Sequence, residues 1–146
     1  MERIKNTVGK ILSVDFGDVR TGLAVSDPSR FLATGIGYIS PGGIEKTADA
    51  VSEIAKENSV SAIVVGLPKN MDGSEGARAD RCKKFARMLE ERTSVPVAMF
   101  DERMTTMTAS RYLNETNTRG KKRKQVIDTL SAQIILQNCL DRLKNM

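Results

Sequence analysis

Asp15, Glu102 and Asp128 are the residues of this chain whose types and positions could do chemistry together. Asp15 lies near the end of an apolar run at residues 10–16, Glu102 follows Asp101 directly after the short run 96–100, and Asp128 sits among Val126, Ile127 and Leu130. Ligands of open α/β sheets bind beyond the carboxyl ends of the parallel strands, and Asp15 and Asp101-Glu102 fall there if both runs are parallel strands. Three carboxylates meeting at that edge would offer oxygen donors alone. Such a set suits Mg2+ or Mn2+, hard cations that keep waters for incoming phosphate oxygens. Two such ions about 3.5–4 Å apart serve phosphodiester hydrolysis by activating water and stabilising the leaving oxygen. Taken singly, each acid has a plainer reading: Asp15 as a turn residue, Glu102 as a charge at a helix start, Asp128 as a surface group.

Composition narrows the chemistry from the other side. The 146 residues include no histidine, which excludes Ser-His-Asp and Cys-His triads, imidazole general bases and histidine-ligated zinc or haem. Two cysteines, Cys82 and Cys139, cannot build a four-thiolate site. Cys82 shares a helical spacing with Phe85, Ala86 and Leu89, so it reads as core, and both thiols are expected to be reduced. The start of the chain is charged with no apolar stretch behind it, and no apolar run approaches the roughly 18 residues of a membrane span. A cytoplasmic protein with no membrane partner is expected. The net charge of +5 is concentrated: Arg119, Lys121, Lys122, Arg123 and Lys124 equal the whole excess, and the remaining chain is balanced. Such a run suits an anionic polymer at one edge of the protein, and suits equally a solvated loop.

The elements that must position these groups follow from periodicity. Strands are expected at 10–16, 22–26 and about 34–39, the first two joined by the turn-like Gly17–Arg20. Ile44, Ala48, Val51, Ile54 and Ala55 recur at helical spacing, giving a helix over about 43–58. The run 62–66 reads as a buried parallel strand, followed by a helix over about 75–92 and a strand at 96–100. Thr105 or Thr106 can cap a helix running to Asn114, the basic run reads as a loop, and a long helix over about 123–144 ends the pattern. The order βββαβαβαα predicts one α/β domain over residues 1–146, a five-stranded mixed sheet with helices on both faces.

The same residues carry a family pattern. The segment Asp15-Phe16-Gly17-Asp18-Val19-Arg20-Thr21-Gly22, continuing to Asp27, resembles the opening motif of the YqgF family, also called RuvX. Val64-Val65-Gly66-Leu67-Pro68-Lys69-Asn70 resembles its second motif, Asp101-Glu102-Arg103-Met104-Thr105-Thr106 its third, and Lys124-Gln125-Val126-Ile127-Asp128 with Ala132 and Gln137 its fourth. The resemblance runs in order from about residue 10 to 141. It implies a ribonuclease H-like fold and a metal-binding acidic triad of Asp15, Glu102 and Asp128. It also implies a nuclease that matures the 5′ end of pre-16S ribosomal RNA, or, through likeness to RuvC, a resolvase of branched DNA. A non-catalytic RNA-binding assembly factor is the alternative outside enzymes, and either a monomer or a homodimer is compatible.

Around the acids stand the expected nucleic-acid contacts. Gly17 would let a phosphate approach Asp15, or simply make the turn. Arg20 and Arg103 could grip phosphate oxygens bidentately, although Arg103 could pair with Asp101 instead. Asn70 could bond substrate or its own turn. Lys121, Lys122, Arg123 and Lys124 precede Asp128 closely enough to hold phosphates beside it. With aromatics at 4%, stacking platforms are few, so backbone charge and shape should dominate over base identity.

Overall fold

The structure is a computed structural model that describes residues 1–69, 72–101 and 120–146, with the backbone alone described for 120–128. Three strands come first, β1 (Ile11–Asp15), β2 (Thr21–Ser26) and β3 (Ala33–Ile39), preceded by the short helix α1 (Glu2–Lys5). Then follow α2 (Ile44–Glu57), β4 (Ala62–Leu67), α3 (Ala77–Arg92), β5 (Val97–Asp101) and the long helix α4 (Gly120–Lys144). The sheet order is β3-β2-β1-β4-β5. β1 pairs antiparallel with β2 and parallel with β4, β2 pairs antiparallel with β3, and β4 pairs parallel with β5. The expected mixed sheet is therefore present, each strand within a residue of its expected bounds. The helix expected from Thr105 or Thr106 to Asn114 lies outside the described residues.

Period-two alternation in β1 divides the interior. Leu12, Val14 and Phe16 join α2 and α3 on one face, where Phe16 stacks on Phe85 with ring centroids 4.5 Å apart. Ile11 and the neighbouring Ala24, Ala62 and Val64 meet Ala132, Ile135, Leu136 and Leu140 of α4 on the other. β4 is buried along its whole length, because helices cover both of its faces. This accounts for its unbroken apolar sequence.

Small residues let α4 lie close to the sheet. A Cβ on Gly35 would stand 2.7 Å from Thr129 Cγ2, so any larger residue there would force the Thr129 side chain to shift. The buried Ser13 hydroxyl donates to the Ala132 carbonyl. Gln137 receives the Ala33 N–H at 3.0 Å and donates to the Phe31 carbonyl at 3.1 Å, while Gln133 donates to the Ala33 carbonyl at 3.3 Å. As the helix number falls from 137 to 129, its β3 contacts climb from Ala33 to Gly35. α4 thus runs opposite to β1 and β3, with its N-terminus toward the edge where β1 ends.

Two expectations need correction. The basic run is not a loop: Lys121, Lys122, Arg123 and Lys124 belong to the opening turns of α4, which begins at Gly120. Lysine and arginine are good helix formers, so charge density alone does not break a helix. The helix α1 was not expected, because four residues are too few to show a period. Tertiary contacts hold it: Ile4 is fully buried, and Arg30 donates to the Ile4 carbonyl at 3.1 Å. No helix among the described residues is long and apolar enough to cross a membrane.

Candidate nucleic-acid cleavage site

Asp15 ends β1 in register with Gly22 of β2, and the β1–β4 pairing of Val14 with Val65 sets it level with Gly66. Gly66 in turn pairs with Phe100, and Leu67 with Asp101. The two acid-bearing strand ends therefore lie on one edge with β4 between them, as the sequence leads one to expect. Asp15 shares its face with Ser13, which faces α4. One turn before Ala132 on that helix is Asp128. Two residues along a strand and four along a helix both advance about 6–7 Å, so the backbone of Asp128 stands level with Asp15. Asp101 shares the parity of Met99, which packs on the α2–α3 side, and so lies on the face opposite Asp15. Glu102, Arg103 and Asn70 lie outside the described residues. Among the described residues no three potential ligands gather at one point.

The turn after Asp15 is closed by its own atoms. A Cβ on Gly17 would stand 2.3 Å from the Arg20 carbonyl oxygen, a separation no side chain can occupy. Glycine at this position thus follows from the turn itself. The buried Thr21 hydroxyl lies 3.4 Å from the Gly17 nitrogen and 3.5 Å from its carbonyl oxygen. Ser40 donates to the Val19 carbonyl at 2.7 Å. From α3, Arg81 reaches Asp18 with Nε to Oδ1 at 2.8 Å. Arg20 is partly exposed at the start of β2. Thr21, Ser40 and Arg81 fix the turn that carries the candidate residues, and single-residue inspection gave no signal for Ser40 or Arg81.

Beyond β4 the loop is organised by a second acid. Asp72 accepts from the Ser74 N–H at 2.9 Å and from its hydroxyl at 2.6 Å. Glu75 bonds the Lys83 ammonium and lies 3.9 Å from Lys69. The Lys83 hydrogen bond, with the charges of Lys83 and Lys69, holds the Glu75 carboxyl below its ordinary range. The thiols take no part here. Neither forms a disulfide and both are buried, and burial pushes the Cys139 thiol up to about 11, leaving it protonated and unreactive.

The fold has relatives among solved structures. RuvC of T. thermophilus, in complex with a Holliday junction substrate, superposes with a TM-score of 0.60 at 13% identity, covering 94% of this chain and 97% of that one. The fowlpox virus Holliday junction resolvase gives 0.52 at 12% identity over 94% and 99%. The class these strands and helices define is ribonuclease H-like. Residues 9–142 match the RuvX family, described as Holliday junction resolvase, and the chain belongs to that family. A relative from Caldanaerobacter subterraneus subsp. tengcongensis, named provisionally as a pre-16S rRNA nuclease, is 46% identical over 93% of this chain and 99% of its own length. One from Ruegeria pomeroyi with the same name is 41% identical over 93% and 88%. The expected family and fold are borne out, and with them a hydrolase acting on nucleic-acid phosphodiester bonds.

Proposed function

We propose that this chain hydrolyses phosphodiester bonds of precursor 16S ribosomal RNA during maturation of its 5′ end, as one nuclease domain of the cytoplasm. The observation that carries the reading is the shared level of Asp15 and Asp128 at the carboxyl edge of the parallel strands. The name borne by relatives at 41–46% identity supplies the substrate. Glu102 completes the set in this reading as the third carboxylate of the family pattern, next in sequence to Asp101, where β5 ends.

The donor chemistry fits a hard divalent cation, Mg2+ or Mn2+: the candidate ligands are carboxylates, and the chain has no imidazole to offer. When bound, such an ion supplies charge stabilisation at phosphoryl oxygens and a water of lowered pKa. Asp15, Glu102 and Asp128 would hold it. Arg20 and Arg103 bind and orient the phosphate, Asn70 bonds the substrate near the edge, and Lys121 to Lys124 hold flanking phosphates. The tight turn at Gly17 brings Arg20 to the start of β2, whose Gly22 pairs with Asp15. Hydrolysis adds water across the phosphodiester, leaving a 5′-phosphate and a 3′-hydroxyl.

Incubation of the protein with a pre-16S 5′-leader RNA and Mg2+ or Mn2+ tests the reading. Wild type should cut, chelator should stop it, and Asp15→Asn should not cut; a fully active Asp15→Asn removes Asp15 from the site. The family description favours a second substrate, a four-way DNA junction. Symmetric nicking of that junction with the RNA left intact would select it.

A further inference from the structure

Among the described residues three helices start at the carboxyl edge of the sheet, and they treat charge differently. α2 begins there in balance, with Glu45 beside Lys46. α3 opens basic: Arg78, Arg81, Lys83 and Lys84 lie in its first two turns against the single acid Asp80 of the helix, while its end holds Glu90, Glu91 and Arg92. A helix N-terminus carries partial positive charge, so bases there are unfavourable and acids favourable. Arg78, Arg81 and Lys84 also follow one another at intervals of three, on one face, where like charges repel. All three are exposed. Arg81 pairs with Asp18, yet Arg78 and Lys84 make no ion pair among the described residues. Glu75 answers Lys83 as Asp18 answers Arg81; for Arg78 and Lys84 a bound polyanion would supply the counter-charge.

Position says which polyanion. The Arg81–Asp18 contact fastens this end of α3 to the turn that follows Asp15. α3 packs on one face of the sheet and α4 on the other, and the first turns of α4 carry Lys121 to Lys124. Asp15 stands at the sheet edge between two basic helix starts.

We propose that Arg78, Arg81 and Lys84 of α3 form a second phosphate-binding surface, which holds the nucleic-acid backbone on the far side of the cleaved bond from α4. The strand then crosses the sheet edge from one helix start to the other, with the bond to be cut over Asp15. This inference rests on the nuclease reading above and adds a substrate-positioning surface to it. Because the contacts are to phosphates, they contribute affinity without sequence preference.

The test replaces Arg78 and Lys84 together by glutamine and leaves the Arg81–Asp18 pair intact. Binding of the leader RNA is titrated across salt in an Asp15→Asn background, and cleavage is measured in the active protein. Loss of two phosphate contacts should flatten the slope of log K against log salt by about 1.4–1.8. KM should rise roughly tenfold while kcat falls less than threefold, the mark of lost ground-state binding. Arg78→Lys should restore its share of the slope, and a Lys5→Gln, Lys56→Gln control should leave the slope unchanged. An unchanged slope in a folded Arg78→Gln, Lys84→Gln protein overturns the proposal and assigns the stripe to some other acidic partner. Failure of the wild type to cut would strike at the nuclease reading instead, and the binding titration would still decide the surface.

Discussion

The two turns that flank β2 hold similar residues and use them in opposite ways. Each contains an aspartate and an arginine within four residues. In the Asp27–Leu32 turn the charged groups serve the backbone. Asp27 Oδ1 accepts the N–H groups of Phe31 and Leu32 at 2.8 and 2.9 Å. Arg30, itself held at a positive φ of 62°, donates to the carbonyls of Gly9 and Ile4 and to the Thr7 hydroxyl. In the Gly17–Arg20 turn the shape is fixed by a glycine, by the Thr21 and Ser40 hydroxyls and by one exposed ion pair to α3. The first turn is a clasp that ties α1 to the sheet. The second is a platform built beside the candidate acid. Aspartate and arginine in a tight turn do not announce a functional site; what their polar atoms bond decides.

Substitutions can break this contrast, beginning with the largest effect. Asp15→Asn should lower cleavage of the leader RNA by two orders of magnitude or more, about 2.7 kcal/mol in the barrier, while its melting temperature stays within about 2 °C of wild type. A large fall in melting temperature would move Asp15 to the structural side. Gly17→Ala forces a Cβ against the Arg20 carbonyl, so the turn must shift; a stability loss of about 1–3 kcal/mol is expected, with cleavage falling further than stability explains. Thermal denaturation beside single-turnover cleavage separates the two.

The other turn should respond only in stability. Arg30→Ala removes three hydrogen bonds to the N-terminal segment and should cost about 2 kcal/mol, read as a melting temperature lower by about 4–8 °C, with cleavage at 25 °C within twofold. Loss of cleavage in a folded Arg30→Ala protein would dissolve the distinction. Asp27 has the smallest effect. Backbone hydrogen bonds, the Leu32 N–H foremost, hold its carboxyl below the ordinary value of 3.8. A depressed carboxyl stabilises the fold above its unfolded pKa, and that contribution disappears as pH falls below 3.8 through the folded value. Asp27→Asn should therefore flatten the acid side of the melting-temperature profile below pH 4 and leave cleavage at pH 7 unaltered.

Much of this was legible before any coordinates. The mostly apolar faces of β1, the unbroken apolar run of β4 and the 3.6-residue period of α2 are local patterns, and burial on one or two faces writes them directly into the chain. Four motifs in register carried the family and pointed to Asp15, Glu102 and Asp128. Less legible were features created by distant partners. Gln137, part of the fourth motif, turns out to clamp α4 to β3 across more than a hundred residues, and Asp27, the last residue of the first motif, braces the turn at the far end of β2. α1 exists because Ile4 and Arg30 meet tertiary partners. The basic run looked like a loop because charge density says nothing about backbone geometry.

The sequence by itself determined the absence of any imidazole, the family, the five strands and the course of α2, α3 and most of α4, because composition and periodicity are properties of the chain alone. The tertiary structure decided which acids share a face. Strand register sets Asp15 on the α4 side and Asp101 on the other, and the antiparallel course of α4, fixed by Ser13, Gln133 and Gln137, brings Asp128 level with Asp15. The direction of α4 depends on contacts between segments about a hundred residues apart, and the register of β1 against β4 on pairings about fifty residues apart, and no local pattern encodes either.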